Sequence, residues 1–358
     1  MDIAWIIIQF VIALGLLIFV HELGHFLASK SLGIQVDEFG FGYPPRLVKL
    51  FTWKGTEVTL NWIPFGGFIR AHGEGDPDVE GGMSAAPAWK RLIILVSGAL
   101  MNFIVGILVL IIMYTSLGTP ASNQVLLTDI APNSPAQSAG LQAGDILLAV
   151  NGLEVDGVED AQEVIQGYLG QEIELTLLRG EETLTTSLTP RLNPPEGEGA
   201  IGISLSNPLK PMPFFQAVGY AFQSAYMQGR EFVMLPFNLI KGNIASEEAR
   251  LVGLKGMFDI YNQAGQMDAE VGVATATPLP IFRLSVVAMV SIAFGLTNLL
   301  PIPMLDGGQI LFLIPEFLFK RRLPQKAVNL INSIFFMLLI ALMVYITIQD
   351  FVNPIFAP

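Results

Sequence analysis

The chain has 358 residues, 52% of them hydrophobic, and a mean hydropathy of +0.56, which is too apolar for a soluble enzyme of ordinary composition. It contains no cysteine, which excludes disulfides, thiolate metal sites and a cysteine nucleophile, so any metal must be held by nitrogen and oxygen ligands. The net charge of −12 is concentrated between residues 121 and 205, which contain thirteen acidic residues and only two basic ones, Arg179 and Arg191. Nothing in this charge distribution indicates nucleic-acid binding. These features predict an integral membrane protein with one acidic soluble domain.

The first apolar run, from residue 3 to about residue 28, is long enough to cross a bilayer of ~30 Å as a helix. It has no basic leader and no small-residue cleavage site, so we expect it to be retained rather than removed as a signal peptide. The sequence His21-Glu22-Leu23-Gly24-His25 lies near its end. Residues four apart share one face of a helix, so both imidazoles can bind one metal while Glu22 acts on a water molecule there. The alternative, that the three polar side chains only pack, is costly inside a membrane.

Residues 35 to 70 contain short alternating stretches that predict a β-hairpin, with strands at 47–51 and 57–62 joined by a Lys54-Gly55 turn. The segment Gly66-Gly67-Phe68 follows the hairpin. Two interpretations stay open: a small cytoplasmic hairpin, or a strand edge beside the metal that binds an extended substrate by strand addition. The third histidine, His72, is expected to be an ordinary loop residue because nothing in the sequence fixes its distance from the first two.

A second span is predicted from residue 92 to about 114, with Gly98 and Asn102 one turn apart on a face that permits close helix approach. Asn102 either forms an interhelical hydrogen bond or lines the site. Residues 125 to 205 alternate short strand patterns with two brief helices, which predicts a small β-barrel-like domain.

Residues 214 to 240 are apolar, but Arg230-Glu231 lie in the middle and Pro236 interrupts the run. A charged pair at mid-bilayer is costly, so this stretch is predicted to form an amphipathic or interfacial helix.

A third span is predicted from 280 to 300 and ends in a double-proline break that leads to Asp306-Gly307-Gly308. Backbone freed at membrane depth must be buried in protein or line a cavity, so an acidic residue at this break is a candidate site residue. A short apolar return at 311–319 and a fourth span at 328–348 follow.

Basic residues predict the orientation of the spans. Seven lysines and arginines lie between the first and second spans, and four lie between the third and fourth: Lys320, Arg321, Arg322 and Lys326. Because short cytoplasmic loops carry an excess of basic residues, both loops are expected in the cytoplasm. Both termini and the acidic domain then lie outside.

Taken together, these elements resemble the bacterial site-2 proteases, which are intramembrane zinc metalloproteases, and in particular the regulator of sigma-E protease type. The resemblance covers nearly the whole chain. It depends chiefly on the motif at 21–25 and on Asn298-x-x-Pro301-x-Pro303-x-Leu305-Asp306-Gly307. Segments 66–68 and 97–103 are also similar to family segments, and residues 131–152 resemble a PDZ domain. The chain departs from the family in having one such domain where the best-known relatives carry two, and in reading Gly253-Leu254-Lys255-Gly256 where many members have Gly-Pro-x-Gly.

The resemblance implies a zinc ion (Zn2+) held by His21, His25 and Asp306 with one position open for water, and Glu22 as the catalytic base. For Asn298 it implies a role in holding the substrate backbone or the oxyanion, with capping of its own helix as the alternative. The candidate substrate-binding residues are Asn298, Asn102, Gly66, Gly67 and Phe68.

The expected fold is a polytopic α-helical membrane protein with about four transmembrane helices, a membrane-associated β-hairpin and one inserted extracytoplasmic PDZ-like α+β domain. We expect the first two spans and the hairpin in residues 1–118 and the PDZ-like domain in 119–207. An interfacial linker is expected in 208–279 and the last two spans in 280–358.

The expected function is zinc-dependent cleavage of transmembrane segments in single-span membrane proteins, such as a trimmed anti-sigma factor or remnant signal peptides. The expected partners are these substrates, the lipid bilayer and peptide C-termini at the PDZ-like domain, and the expected location is the bacterial inner (plasma) membrane. The alternative is a metal-binding membrane scaffold or receptor that captures C-termini without proteolysis. Glu22 separates the two because a structural metal site needs no general base. A zinc transporter is disfavoured because only one ligand cluster is evident.

Overall fold

A computed structural model shows the chain as two compact units, one of Met1–Met113 and Val218–Pro358 and the other of Tyr114–Ala217. The structure describes residues 3–76, 78–116, 119–120, 124–195, 198–207, 209–242, 250–275 and 280–356. The predicted linker 208–279 therefore falls partly outside the described residues, and so does the predicted PDZ-like segment at 121–123 and 196–197.

The described helices, in chain order, are α1 (Ile3–Ser31), α2 (Ala88–Ser116), α3 (Pro135–Ser138), α4 (Val158–Gly167), α5 (Phe214–Ile240), α6 (Leu254–Thr275), α7 (Ile281–Asn298), α8 (Asp306–Phe319) and α9 (Gln325–Val352). Among the described residues, α1, α2, α7 and α9 are long and apolar enough to cross a membrane, in agreement with the predicted four spans. Helix α5 is continuous through Pro236 and is not among these candidates. Helix α6 is not predicted as a separate element, although Met257, Tyr261 and Ala264 follow helical spacing.

The described strands are β1 (Val36–Trp53), β2 (Thr56–Ala71), β3 (Thr119–Pro120), β4 (Val125–Ile130), β5 (Ile146–Val150), β6 (Leu153–Glu154), β7 (Ile173–Arg179), β8 (Glu182–Leu188), β9 (Ile203–Ser206) and β10 (Leu209–Lys210). Strands β4 to β9 form an antiparallel sheet in the order β8-β7-β5-β4-β9, with β6 paired to β5. Strands β3 and β10 pair with each other.

The acidic unit, Tyr114–Ala217, has its own apolar core. Alternate residues of its central strands are fully buried, such as Val125 and Leu127 of β4, because successive strand side chains point to opposite faces. The carboxylate of Asp145 is 1% exposed and accepts hydrogen bonds of 2.7 Å from Nε and from Nη2 of Arg179. These bonds hold the pKa of Asp145 below its usual value.

The predicted hairpin is present but longer than its pattern indicates. Lys54 and Gly55 both have positive φ, at 47° and 81°, which is the geometry of a tight two-residue turn. Beyond the turn the strands curl, so that residues 38–41 pair with residues 57–60 and also with residues 67–70. Gly40 makes the curl possible, because a Cβ there would lie 2.2 Å from the ring of Phe68. Residues 66–70 thereby form an edge of the hairpin.

Small residues bring α1, α2 and α7 close together. A Cβ on Gly24 of α1 would lie 2.3 Å from the carbonyl oxygen of Ser97 in α2. A Cβ on Gly295 of α7 would lie 3.0 Å from the carbonyl oxygen of Ala99. Such contacts allow helix backbones to approach closely in lipid, where packing rather than hydrophobic burial drives association.

Candidate metal centre

Three potential ligand atoms converge between α1 and α8. Nε2 of His21 lies 3.0 Å from Oδ2 of Asp306, and Nε2 of His25 lies 3.3 Å from the same oxygen. The two Nε2 atoms are 3.1 Å apart. Ligands bound at roughly 2.0–2.2 Å around a tetrahedral ion stand about 3.3–3.6 Å apart, so the three atoms are close to that spacing. Within the described part of the chain, this is the one group of histidine and acidic side chains found with such spacing.

Hydrogen bonding leaves lone pairs directed into this group. The ring of His25 donates from Nδ1 to the carbonyl oxygen of Ile94 over 2.7 Å, which leaves a lone pair on Nε2. Oδ2 of Asp306 is buried and accepts no hydrogen bond from the described residues. Acceptor atoms that face one another in a buried place repel unless a cation lies among them. The donor set of two imidazoles and one carboxylate therefore fits zinc.

Asn102 orients the second imidazole. Its carboxamide lies 3.2 Å from Nδ1 of His21, and the side chain is completely buried. A histidine that binds metal through Nε2 carries its proton on Nδ1, so the amide oxygen must face it. Rotating the Asn102 amide by 180° exchanges the positions of its nitrogen and oxygen atoms. Oδ1, which has no other partner among the described residues, then accepts this proton. The backbone oxygen of Asn102 accepts a 2.8 Å bond from Ser291, which ties α2 to α7.

The double-proline break places Asp306 at the first turn of α8. A Cβ on Gly307 would lie 2.3 Å from the carbonyl oxygen of Leu299, so no side chain fits there. Met304 has φ of 86°, and its N–H donates to Oδ1 of Asn332 in α9 over 3.1 Å. The carboxylate is thus held by a turn that needs glycine and is anchored by a neighbouring helix.

Glu22 is half-buried and lies within electrostatic reach of His21, His25 and Asp306. A carboxylate in this position can take a proton from a water molecule beside the ligands. His72, by contrast, lies outside the group, and its Nδ1 is 3.1 Å from both carboxylate oxygens of Asp37.

The predicted substrate-binding residues occupy different places. A Cβ on Gly66 would lie 2.7 Å from the side chain of Ile18, and a Cβ on Gly67 would lie 3.1 Å from that of Phe19, so the strand lies against the turn of α1 that precedes His21. Phe68 pairs with Gly40 inside the hairpin. The Asn298 amide donates to the carbonyl oxygen of Phe294 in its own helix over 3.0 Å.

Two contacts at the centre are not predicted from the sequence. One is the carbonyl of Ile94, which carries no side-chain signal. The other is Gly98, predicted only to allow helix approach: a Cβ there would lie 2.5 Å from Nε2 of His25 and 2.8 Å from Cε1 of His21. Its place one turn before Asn102 is the only signal in the sequence that this glycine faces the imidazoles.

Comparison with known proteins gives a consistent result. The family profile described as peptidase family M50 matches residues 9–342. A protein of Clostridium perfringens is 33% identical over 350 residues, covering 98% of this chain and 99% of its own length. A protein of Campylobacter jejuni is 30% identical over 360 residues, covering 95% and 91%. Both are named for an inferred zinc metalloprotease activity. Among solved structures, the PDZ domain of an SdrC-like protein from Listeria monocytogenes aligns with 23% of this chain and 87% of its own length, at 19% identity and a TM-score of 0.21.

Proposed function

Because the chain belongs to peptidase family M50 and is a multi-pass membrane zinc metalloprotease, we propose that it cuts transmembrane segments of single-span membrane proteins inside the bilayer. The convergence of His21, His25 and Asp306 carries this proposal, since both histidines belong to a helix that is itself a candidate span. The histidines precede the polar end of α1 at Lys30 by roughly 10 Å at about 1.5 Å per residue. The bond to be cut would therefore lie at membrane depth, near the cytoplasmic face.

In this mechanism His21, His25 and Asp306 would hold the zinc ion. When bound, the ion would supply the charge that makes a water molecule acidic enough to lose a proton near neutral pH. Glu22 takes the proton from the attacking water and delivers it to the leaving amine. The Ile94 carbonyl and the Asn102 amide fix the two imidazoles, and Asn298 holds the substrate backbone or the developing oxyanion.

Substrate binding is assigned to the hairpin edge at Gly66-Gly67-Phe68. A substrate helix shields its peptide bonds with its own hydrogen bonds, so it must unwind before it is cut. Residues 66–70 form an edge of the curled hairpin beside α1. Their inner side pairs with β1, and no other described strand pairs with their outer side. An extended segment can add to this edge by backbone hydrogen bonds.

Proline placed at successive positions of the substrate should block cleavage wherever it replaces a residue whose N–H pairs with this edge. Equal cleavage with proline at every position would show that residues 66–70 do not bind the substrate.

Purified protein in detergent with zinc provides the test of the proposed function. It should cut at least one member of a panel of single-span segments, stop when a chelator is added, and recover when zinc is restored. Activity that persists in excess chelator, or protein that binds zinc yet cuts no membrane segment, would contradict the proposal. The second outcome would favour a metal-binding membrane scaffold.

Gly98→Ala should weaken zinc affinity by about 10–100-fold, the range seen when groups around a metal ligand are disturbed, and so lower the zinc that the purified protein retains after dialysis. The added methyl group would occupy the space of both imidazoles. Elemental analysis of purified protein measures the effect. Gly219→Ala is the matched control because a Cβ at Gly219 in α5 meets nothing within 4 Å. Full zinc in Gly98→Ala would show that the imidazoles are not fixed against α2.

We place the protein in a bacterial inner membrane with both termini and the acidic unit outside. The support is the concentration of basic residues in the two loops that this orientation leaves in the cytoplasm. Large apolar side chains exposed on the hairpin, such as Phe51 and Trp62, favour its contact with lipid. Reporter fusions after Pro358 and within 125–205 should both report the outer side. A cytoplasmic signal from either fusion contradicts this topology.

The acidic unit is proposed to be a PDZ-like domain that binds peptide C-termini and restricts access to the centre. Strand β9 lies at the end of the described sheet order, and such an edge suits a peptide that adds as a further strand.

Deleting 125–205 should leave zinc bound and allow substrates to be cut without prior trimming, because this segment contributes none of the three ligand atoms. Cleavage of matched full-length and trimmed substrates, together with zinc analysis, measures this. A deletion variant that still rejects full-length substrate would show that access is restricted elsewhere.

A further inference from the structure

An apolar cavity of about 480 Å³ lies among α1, α5, α6 and α7, all of its lining residues belonging to the unit that carries the metal centre. On α1 it is lined from Phe10 to Leu17 and on α7 from Val286 to Thr297. The proposed steps of catalysis do not involve this cavity.

The cavity reaches the metal centre along both of these helices. Leu17 precedes His21 by four residues, so it lies on the same face of α1 one turn earlier. Phe294, which lines the cavity on α7, has its ring centroid 5.4 Å from that of His21. Phe294 therefore borders both the cavity and a proposed zinc ligand.

The size of the cavity suits several side chains of an unwound peptide. A cavity of about 150 Å³ binds benzene, so this volume holds roughly three such groups. The part of α1 that lines it, residues 10 to 17, is about 10 Å long. Three residues of extended chain cover a similar length at about 3.3 Å each.

Polar groups on the wall favour a peptide over a lipid tail as the occupant. Gln228, Glu231 and Thr297 line the cavity among apolar residues. The side-chain nitrogen of Gln228 donates to the carbonyl oxygen of Met289 over 2.7 Å. The side-chain oxygen of Gln228 takes no part in that bond and can act as an acceptor. Backbone N–H groups freed by unwinding need acceptors within the bilayer, whereas an acyl chain needs none.

We propose that this cavity binds apolar side chains of the unwound substrate segment beside the bond that is cut. Ala293 on α7 and Ala13 on α1, two of its smallest lining residues, set how large those side chains can be. This inference rests on the proposed proteolytic function and adds a specificity site to it.

The test compares discrimination between substrates rather than overall rate. One single-span segment is prepared with Ala, Leu or Phe at each of the three positions on either side of its cleavage site. For the wild-type protein, at least one position should accept Leu or Phe without loss of kcat/KM. In Ala293→Phe, kcat/KM for that substrate should fall about 10–200-fold more than for the Ala substrate, the range in which apolar pockets discriminate.

Two further variants make the result decisive. Ala341→Phe places the same substitution on an exposed position of α9 and should keep the wild-type ratio. Ala13→Phe fills the cavity from α1 and serves as the test if Ala293→Phe loses zinc or fails to fold. Equal losses for large and small substrates, or unchanged ratios in a folded cavity variant, would overturn the inference. So would mass spectrometry that finds a lipid displaced by the substitution while the ratios stay constant. Failure of the wild-type protein to cut any segment would instead count against the proposed function.

Discussion

Replacing Asp306 with alanine should remove zinc and abolish cleavage together. The carboxylate supplies one of three convergent ligand atoms, at 3.0 and 3.3 Å from the two imidazole nitrogens. A tetrahedral catalytic site with three protein ligands cannot lose one of them and keep both its affinity and its open position. An unpaired carboxylate at membrane depth would moreover be costly, so a metal is its natural partner.

The experiment measures zinc by elemental analysis and cleavage of one substrate in the same preparation. Asp306→Asn is the conservative variant, since it keeps the shape of the side chain and removes its charge. Asp129→Ala, at an exposed position in the acidic unit, is the control for loss of a carboxylate elsewhere. If Asp306→Ala retained full zinc, the third ligand would lie elsewhere, and His72 beside Asp37 would be the next residue to replace.

Glu22→Gln should fail in a different way, with zinc retained and turnover reduced by about 10²–10⁴-fold or more, as expected for loss of general acid–base catalysis. The substitution preserves the size of the side chain and both imidazoles but removes the proton acceptor. Glu22 is near the three ligand atoms without being one of the convergent group, so its loss should not release the metal.

The measurement is kcat for one substrate together with zinc content, and Glu80→Gln, at an exposed loop position, is the matched control. Normal turnover in Glu22→Gln would refute its role as the base while leaving the metal site intact. Loss of zinc would instead make Glu22 a ligand. Because a purely structural metal site needs no base, this variant also separates a protease from a metal-binding scaffold.

Features set by local geometry were predictable from the sequence. The lengths of the apolar runs predicted four spans, and the described part of the chain contains four helices long and apolar enough to cross a membrane. The spacing of His21 and His25 placed both on one helix face, because the period of a helix depends on backbone hydrogen bonds and not on the rest of the protein. The turn at Lys54-Gly55 followed in the same way from the positive φ that such a turn requires. Membership of the M50 family, inferred from two motifs on separate apolar segments, is confirmed by the comparison.

Only the tertiary structure decided how these pieces meet. Asp306 lies far along the chain from the histidines, and its approach depends on how α7 and α8 pack against α1 and α2. Two contacts depend on the crossing of α1 and α2 at Gly24, which no local periodicity encodes. They are the contact of Gly98 with both imidazoles and the hydrogen bond from His25 to the Ile94 carbonyl. The curl of the hairpin and the cavity beside Phe294 arise in the same way, from backbone contacts and from gaps between helices. Sequence therefore determined which residues could perform the chemistry, whereas packing determined which of them face one another, because contacts between distant segments depend on shape complementarity across the whole unit.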